Sequence, residues 1–274
     1  MNIRHASQAF AVDIGNSFLK VGRFSVPRDG RPAGLPVIDG VERVEAEGAR
    51  TADSPAVLGI LDGLSDEAVA WYVVSVNRPA ESRFSAWVRR RRPQDVYLLL
   101  THERFPLDID VREPRRVGTD RLAAAAAANR LRAPDRPAIV VDAGTAITVD
   151  VVSAAGVFRG GAILPGLRTA AAALARNTDA LPVLEDLDLS IAPDAIGTCT
   201  RDAMRSGLYW GWIGAIKELI GRMSSLLPSS PDIICAGGDV AHLAPLLGYT
   251  LILEPNLVLR GVAEAGCFAS RLEA

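Results

Sequence analysis

One short pattern occurs twice in this chain and constrains its fold more than any other feature. AFAVDIGNS spans Ala9–Ser17, and AIVVDAGTA spans Ala138–Ala146, 129 residues later. Each copy is a brief apolar run ending in Val-Asp-x-Gly and a small polar residue. A run this short, bounded by Gly, reads as a buried strand entering a tight turn. The Asp then falls at a strand end, its carboxylate beside backbone N–H groups that the Gly leaves accessible. Two such turns facing each other across a cleft could hold a polyphosphate and its metal. One copy alone would be ordinary turn chemistry. The duplication points to a nucleotide site.

The segments downstream of the two copies are also alike. SFLKVGRFSV extends the first copy into a strand hairpin, and TAITVDVV does the same for the second. PRDGRPAGLP is rich in Pro and Gly and reads as loop. SPAVLGILDGL then reads as helix, AVAWYVVSV as strand, PAESRFSAWVRRRR as an amphipathic helix and VYLLL as strand. The composition of GTDRLAAAAAANRLRA strongly favours helix, with Thr119 as its N-cap and Asp120 in its first turn. After the linker RAPDRPA the order restarts. GVFRGGAIL reads as strand, GLRTAAAALARN as helix, Arg201–Met223 as a long helix, DIICAGGD as strand and turn, LILEP as a short strand and NLVLRGVAEAGCFASRL as the last helix. The reading is two α/β domains of related design, residues 1–131 and 132–274, with the site between them.

Composition narrows the function classes. With 274 residues the chain can build two cores. Thirty basic against thirty-two acidic residues give a formal charge of -2, so no global field recruits nucleic acid. The one dense basic run, Arg89–Arg92, reads as a solvated helix end. Cys199, Cys235 and Cys267 are odd in number and far apart, which fits neither a disulfide framework nor a metal site and favours a reducing compartment. The N-terminal apolar stretch Ala9–Val12 is too short for a signal-peptide core. The apolar region Ala138–Val152 contains Asp142 and Asp150, so it does not read as a membrane span. A cytoplasmic protein with no membrane partner is expected.

Each motif has a functional and a structural reading. In Asp13-Ile14-Gly15-Asn16-Ser17, Asp13 could hold a divalent metal, directly or through water, while Gly15–Ser17 offer backbone donors to phosphate and Lys20 adds a charge near it. The alternative is a type I′-like hairpin turn capped by Asn16, with Lys20 merely facing solvent. Gly118-Thr119-Asp120-Arg121 could pair a general base with a substrate-binding cation, or simply be a favourable helix N-terminus. Thr145, in Asp142-Ala143-Gly144-Thr145, can donate its hydroxyl to phosphate. Gly161 reads as a close backbone approach or a bulge. Gly237-Gly238 reads as a flat surface for an adenine or as a plain strand-to-helix turn. No G-x-x-x-x-G-K-[ST] and no strand-associated G-x-G-x-x-G is present, so the P-loop and dinucleotide architectures lack their signatures.

Taken together and in order, DIGNSFLKVG, VVSV, VGTDRL, VDAGTAITVD, GGAILPGL, IGTCTRDAMRSG and AGGD resemble the type III pantothenate kinase family. That family belongs to the superfamily of acetate and sugar kinases, heat-shock chaperones and actin. The resemblance implies two ribonuclease-H-like domains, a homodimer, and transfer of the ATP γ-phosphate to the primary hydroxyl of pantothenate, the first step toward coenzyme A. It implies that Asp13, Ile14, Gly15, Asn16, Ser17, Phe18, Leu19 and Lys20 form the first phosphate loop. Asp120 becomes the proton acceptor, and Gly118, Thr119, Asp120 and Arg121 contact pantothenate. Asp142 matches the ligand of a monovalent cation (K⁺ or NH₄⁺), Thr145 an ATP contact and Thr200 a pantothenate contact. Many members carry a tyrosine seven residues before the glycine of GTDR. Val111 stands there instead, so the wall of the pantothenate pocket is altered, and Glu113 replaces the usual Asn before the following proline. The alternatives are a nonenzymatic or regulatory nucleotide-binding protein of the same fold, or a kinase for another small alcohol.

Overall fold

The computed structural model describes residues 8–27, 34–45, 59, 64, 66–184, 187 and 190–272. Most of the helix expected over SPAVLGILDGL, and much of the loop PRDGRPAGLP, lie outside the described residues. Contacts divide the chain into two compact units, Met1–Leu131 with Asn256–Ala274, and Arg132–Pro255.

In the first unit, β1 (Gln8–Ile14) and β2 (Phe18–Ser25) form the expected hairpin. They are followed by β3 (Asp39–Glu45), β4 (Ala70–Ser75), α1 (Arg78–Arg91), β5 (Val96–Leu99), the two-residue β6 (Asp108–Ile109) and α2 (Thr119–Leu131). The sheet order is β3-β2-β1-β4-β5. β1 and β3 flank β2 antiparallel, whereas β4 runs parallel to both β1 and β5. Alternation along β1 sends Phe10, Val12 and Ile14 into a core shared with Trp71, Val73, Phe84 and Trp87. Asn77 caps α1, its side chain accepting from the Ala80 N–H, and the helix ends in Arg89, Arg90 and Arg91. Arg92 is the C-cap and pairs with Asp95 at 3.1 Å. The basic run is therefore a helix end, as its composition suggests.

The opposite sheet face carries the last helix, α6 (Leu257–Leu272). The sequence places this helix in the second domain, and the contacts place it in the first. Small residues explain why. Leu122 and the six alanines of α2 after it are buried without interruption. A Cβ on Gly261 would lie 1.8 Å from the Ala123 carbonyl oxygen, and one on Gly266 would lie 2.7 Å from the Tyr72 ring. The Tyr72 hydroxyl also shares a 2.7 Å hydrogen bond with Ser270. Arg130 reaches Glu264 at 3.5 Å, tying the far end of α2 to α6. The alanine run thus does more than favour helix: it lets a second helix approach at backbone distance.

The second unit comprises β7 (Ala138–Ala143), β8 (Ala146–Val152), β9 (Val157–Pro165), α3 (Leu167–Asn177), α4 (Thr200–Ser225), β10 (Asp232–Ala236), α5 (Val240–Leu247) and β11 (Leu251–Leu253). Its strands run β9-β8-β7-β10-β11, with β7, β8 and β9 antiparallel in sequence and β10 parallel to β7 and β11. This is the order and direction pattern of the first unit. The sequence duplication is therefore a duplication of topology, and each unit is ribonuclease-H-like. Ile139, Val141, Ile147, Val149, Ile216 and Leu243 centre the second core. Burial pushes the thiols of Cys235 and Cys267 up to about 12, so both stay protonated.

Candidate active site

Asp13 stands near the carboxyl end of the central strand β1, between an antiparallel and a parallel neighbour. In open α/β sheets, ligands collect at such a switch point beyond the strand ends. Asp13 lies directly opposite Lys20 in the hairpin register, and the two side chains form an ion pair at 3.8 Å. Lys20 is therefore not merely solvent-facing. Both project from the face that carries α2 and α6, because Ala11 shares that face and its register partner Tyr72 touches α6. The turn is closed by the Gly15 N–H donating to the Phe18 carbonyl at 2.9 Å. It is not a type I′ turn, which needs positive φ at both central residues. Asp135, outside this turn, is the one described non-glycine residue with positive φ, and Gly15 is not among the positive-φ glycines. Asn16 is exposed, Ser17 is half-buried, and the guanidinium of Arg43 stacks 3.6 Å from the Phe18 ring centre. Ile14 and Leu19 are fully buried and anchor the turn from below.

The start of α2 lies in the same unit. Thr119 is the first helical residue rather than the cap, and the Leu122 N–H reaches back to the Gly118 carbonyl at 3.2 Å. The Thr119 hydroxyl instead accepts from the Ser75 N–H at 3.2 Å and donates to the Ser75 carbonyl at 3.4 Å. Asp120 sits in the first turn, its Oδ1 accepting from the Arg121 N–H at 2.8 Å. That carboxylate oxygen lies where a Cβ on Gly118 would fall, 2.5 Å away. The obstructing atom is the tip of a side chain, so an added methyl can be accommodated by swinging the carboxylate aside. Gly118→Ala should therefore leave thermal unfolding nearly unchanged while displacing the Asp120 carboxylate. A markedly lower melting temperature for Gly118→Ala would show that the carboxylate cannot move aside.

In the second unit, Asp142 occupies the strand end equivalent to Asp13, on the face opposite the core residues Val141 and Ala143. Its register partner is Thr148. Where the first hairpin opposes its Asp with a lysine, the second offers a hydroxyl. The Gly144 N–H donates to the Ala146 carbonyl at 3.1 Å, and Thr145 is exposed at the tip. The Thr145 carbonyl accepts from the Gly166 N–H at 3.0 Å and from the Thr169 hydroxyl at 2.7 Å. A Cβ on Gly166 would lie 2.2 Å from the Gly144 carbonyl oxygen, and one on Gly237 would lie 2.1 Å from that of Ala143. Gly237 also has a φ of +97°. Its glycine is explained by packing against the turn and by backbone conformation. Gly161 opposes Asp150 beside a register shift, and its Cβ would meet the Val149 carbonyl oxygen at 2.0 Å. Close approach and irregular pairing therefore coincide there.

Thr200 is exposed as the first residue of α4. Just inside that helix start lies a cavity of about 370 Å³ lined by Leu167, Ile191, Pro193, Asp202, Arg205 and Tyr209 among others. Val111 is half-buried in a bend ahead of the short turn Pro114–Arg116. Among the described residues, no group of three or more His, Cys, Asp or Glu side chains could hold a metal.

Each of the two units is ribonuclease-H-like and carries an acidic turn at the end of its central strand. Two solved structures share the fold over nearly the whole chain. Ethanolamine utilization protein EutJ from Carboxydothermus hydrogenoformans has a TM-score of 0.51 at 16% identity, covering 96% of this chain and 91% of its own. Component A of the Acidaminococcus fermentans (R)-2-hydroxyglutaryl-CoA dehydratase has a TM-score of 0.51 at 14% identity, covering 98% and 99%. At such identity they show the fold alone.

Within this fold, the model of the type III pantothenate kinase family matches residues 9–222, and the chain belongs to that family. A type III pantothenate kinase from Zymomonas mobilis is 32% identical over 239 residues, 83% of this chain and 86% of its own. One from Gluconobacter oxydans is 37% identical over 234 residues, 80% and 82%. One from Rhodopirellula baltica reaches 43% over 169 residues, and there the match spans 60% of either chain.

Proposed function

We propose that this protein transfers the γ-phosphate of Mg·ATP to the primary hydroxyl of pantothenate, giving 4′-phosphopantothenate and ADP. The observation that carries the reading is the placement of Asp120. It sits in a helix first turn beside Arg121, on the same unit and sheet face as the Asp13–Lys20 pair, in a chain of the type III pantothenate kinase family. In this reading the backbone N–H groups of Asn16 and Ser17 and the Lys20 ammonium hold phosphate, Ile14, Gly15, Phe18 and Leu19 fix the loop, and Thr145 contacts ATP. Asp13 would hold the nucleotide's Mg²⁺, directly or through water, and that metal would neutralise charge on the phosphates. Gly118, Thr119, Arg121, Val111 and Thr200 contact pantothenate. Asp120 accepts the hydroxyl proton as the oxygen bonds to the γ-phosphorus and the bond to the β-phosphate oxygen breaks. A loose phosphoryl-transfer transition state asks mainly for this positioning and neutralisation.

A K⁺ or NH₄⁺ ion at Asp142 is part of the proposal, on the match of the VDAGT turn to the family's motif, where a cation beside a triphosphate would offset its repulsion of a carboxylate. Rates should rise with K⁺ or NH₄⁺, Na⁺ should substitute poorly, and Asp142→Ala should remove the difference. Equal rates in Na⁺-only and K⁺ buffers would contradict that role. ADP release that requires pantothenate would distinguish a kinase from a nucleotide-driven switch, which hydrolyses ATP without an acceptor. A homodimer is part of the proposal, supported by Ile163, Ile191, Ile196 and Leu226, large apolar side chains exposed on the second unit. A cytoplasmic location is proposed from the ATP-dependent chemistry. Among the described residues, no helix is long and apolar enough to cross a membrane.

A further inference from the structure

The segment Ser75-Val76-Asn77, at the end of β4, touches both halves of the machinery in the first unit. On one side it grips the first phosphate loop. The Val76 N–H donates to the Ile14 carbonyl at 3.1 Å, the Ser75 hydroxyl approaches the same carbonyl at 3.5 Å, and the Asn77 amide donates to the Gly15 carbonyl at 3.5 Å. On the other side, the Ser75 backbone exchanges both of its polar groups with the Thr119 hydroxyl, one residue before Asp120. The segment is itself braced. The Asn77 N–H donates to the Ser75 hydroxyl at 3.1 Å, and that hydroxyl donates to the Asn77 carbonyl at 3.1 Å.

The orientation of the Asn77 amide is set by its partners. Its Oδ1 accepts from the Ala80 N–H at 3.1 Å, capping α1, so its Nδ2 is the atom left for the Gly15 carbonyl. One side chain thus fixes a helix start and a loop carbonyl together. Val76 closes the bridge, because its Cγ1 lies 3.5 Å from where a Cβ on Gly118 would fall.

We propose that Ser75 and Asn77 are positioning residues that hold the first phosphate loop and the base-bearing helix in one fixed geometry. They touch neither reacting atom. They set where the loop's N–H donors lie relative to the Asp120 carboxylate, and phosphoryl transfer loses rate steeply when such groups are misplaced. The inference rests on the kinase reading for its rate consequence, but its geometric content can be tested by nucleotide binding alone.

The test separates bridging from capping. Asn77→Ser retains a capping oxygen and loses the amide donor, whereas Asn77→Ala loses both. Positioning predicts that both variants bind the non-hydrolysable analogue AMPPNP with Mg²⁺ about fivefold more weakly than the parent, the effect of one lost hydrogen bond. Both should also lower kcat for pantothenate phosphorylation to a similar extent, although only Asn77→Ala melts earlier. Ser75→Ala should show the same pattern. If Asn77→Ser binds AMPPNP and turns over like the parent, Asn77 is a helix cap only and the proposal is overturned. If the parent phosphorylates no pantothenate while the AMPPNP difference persists, the substrate assignment fails and the positioning role stands.

Discussion

Asp120→Asn is expected to fold and to bind nucleotide as the parent does, yet to turn over at least about a hundredfold more slowly. A primary alcohol at neutral pH is a poor nucleophile, and an oriented base typically contributes roughly 10²–10⁴-fold. The amide retains the shape and an oxygen that can accept from the Arg121 N–H, a bond of 2.8 Å in the parent. It cannot accept the substrate proton. Single-turnover rates with saturating Mg·ATP and pantothenate measure the chemical step. A near-parental rate would show that another group receives the proton, or that none is needed.

Gly261→Ala is expected to be the most damaging single methyl in the first unit. The added carbon would meet the Ala123 carbonyl oxygen at 1.8 Å and its carbonyl carbon at 2.4 Å, both backbone atoms that cannot swing away. Relief requires α2 and α6 to separate, and overpacking of this kind costs about 3 kcal/mol or more. Because α2 carries Asp120 at its start, activity should fall with stability. Gly214→Ala is the matched control: beyond its chain neighbours and the adjacent backbone of its own helix, α4, no described atom lies within 4 Å of the added Cβ. There the change should be neutral or stabilising by about 0.5–1 kcal/mol, the helix-propensity gain. Denaturant unfolding of the two variants decides the matter, and equal midpoints would show that the helix pair is looser than these distances imply.

The elements that obey a strong local rule are the ones the sequence reveals. Both Asp-bearing hairpins, β4, α1, α3, α4 and the last helix could be read from apolar runs, alanine content and Gly or Pro boundaries. β3 could not, because Val-Glu-Arg-Val-Glu on an exposed edge strand shows no apolar face. Nor could α5, which is eight residues long with Pro245 inside it. The placement of α6 in the first unit was equally hidden, since its partner surface is a run of alanines that says helix without saying which neighbour. At the candidate site, the strand-end positions of Asp13 and Asp142 and the helix-start position of Asp120 were legible from motif spacing. The opposition of Lys20 to Asp13, the room that Gly118 leaves for the Asp120 carboxylate and the Ser75–Asn77 bridge were not. Each depends on hairpin register or on residues distant in sequence. Asn77 did carry a local signal, an Asn just before Arg-Pro at a helix start.

The most direct test of the central claim tracks the fate of the γ-phosphate. Purified protein is incubated with γ-labelled ATP, Mg²⁺, K⁺ and pantothenate, and the products are separated. The account predicts that the label appears on the primary hydroxyl of pantothenate in one-to-one amount with ADP, and that Asp120→Asn slows its appearance there at least about a hundredfold. Label released as inorganic phosphate, or retained on ATP while the folded protein binds nucleotide, would contradict it.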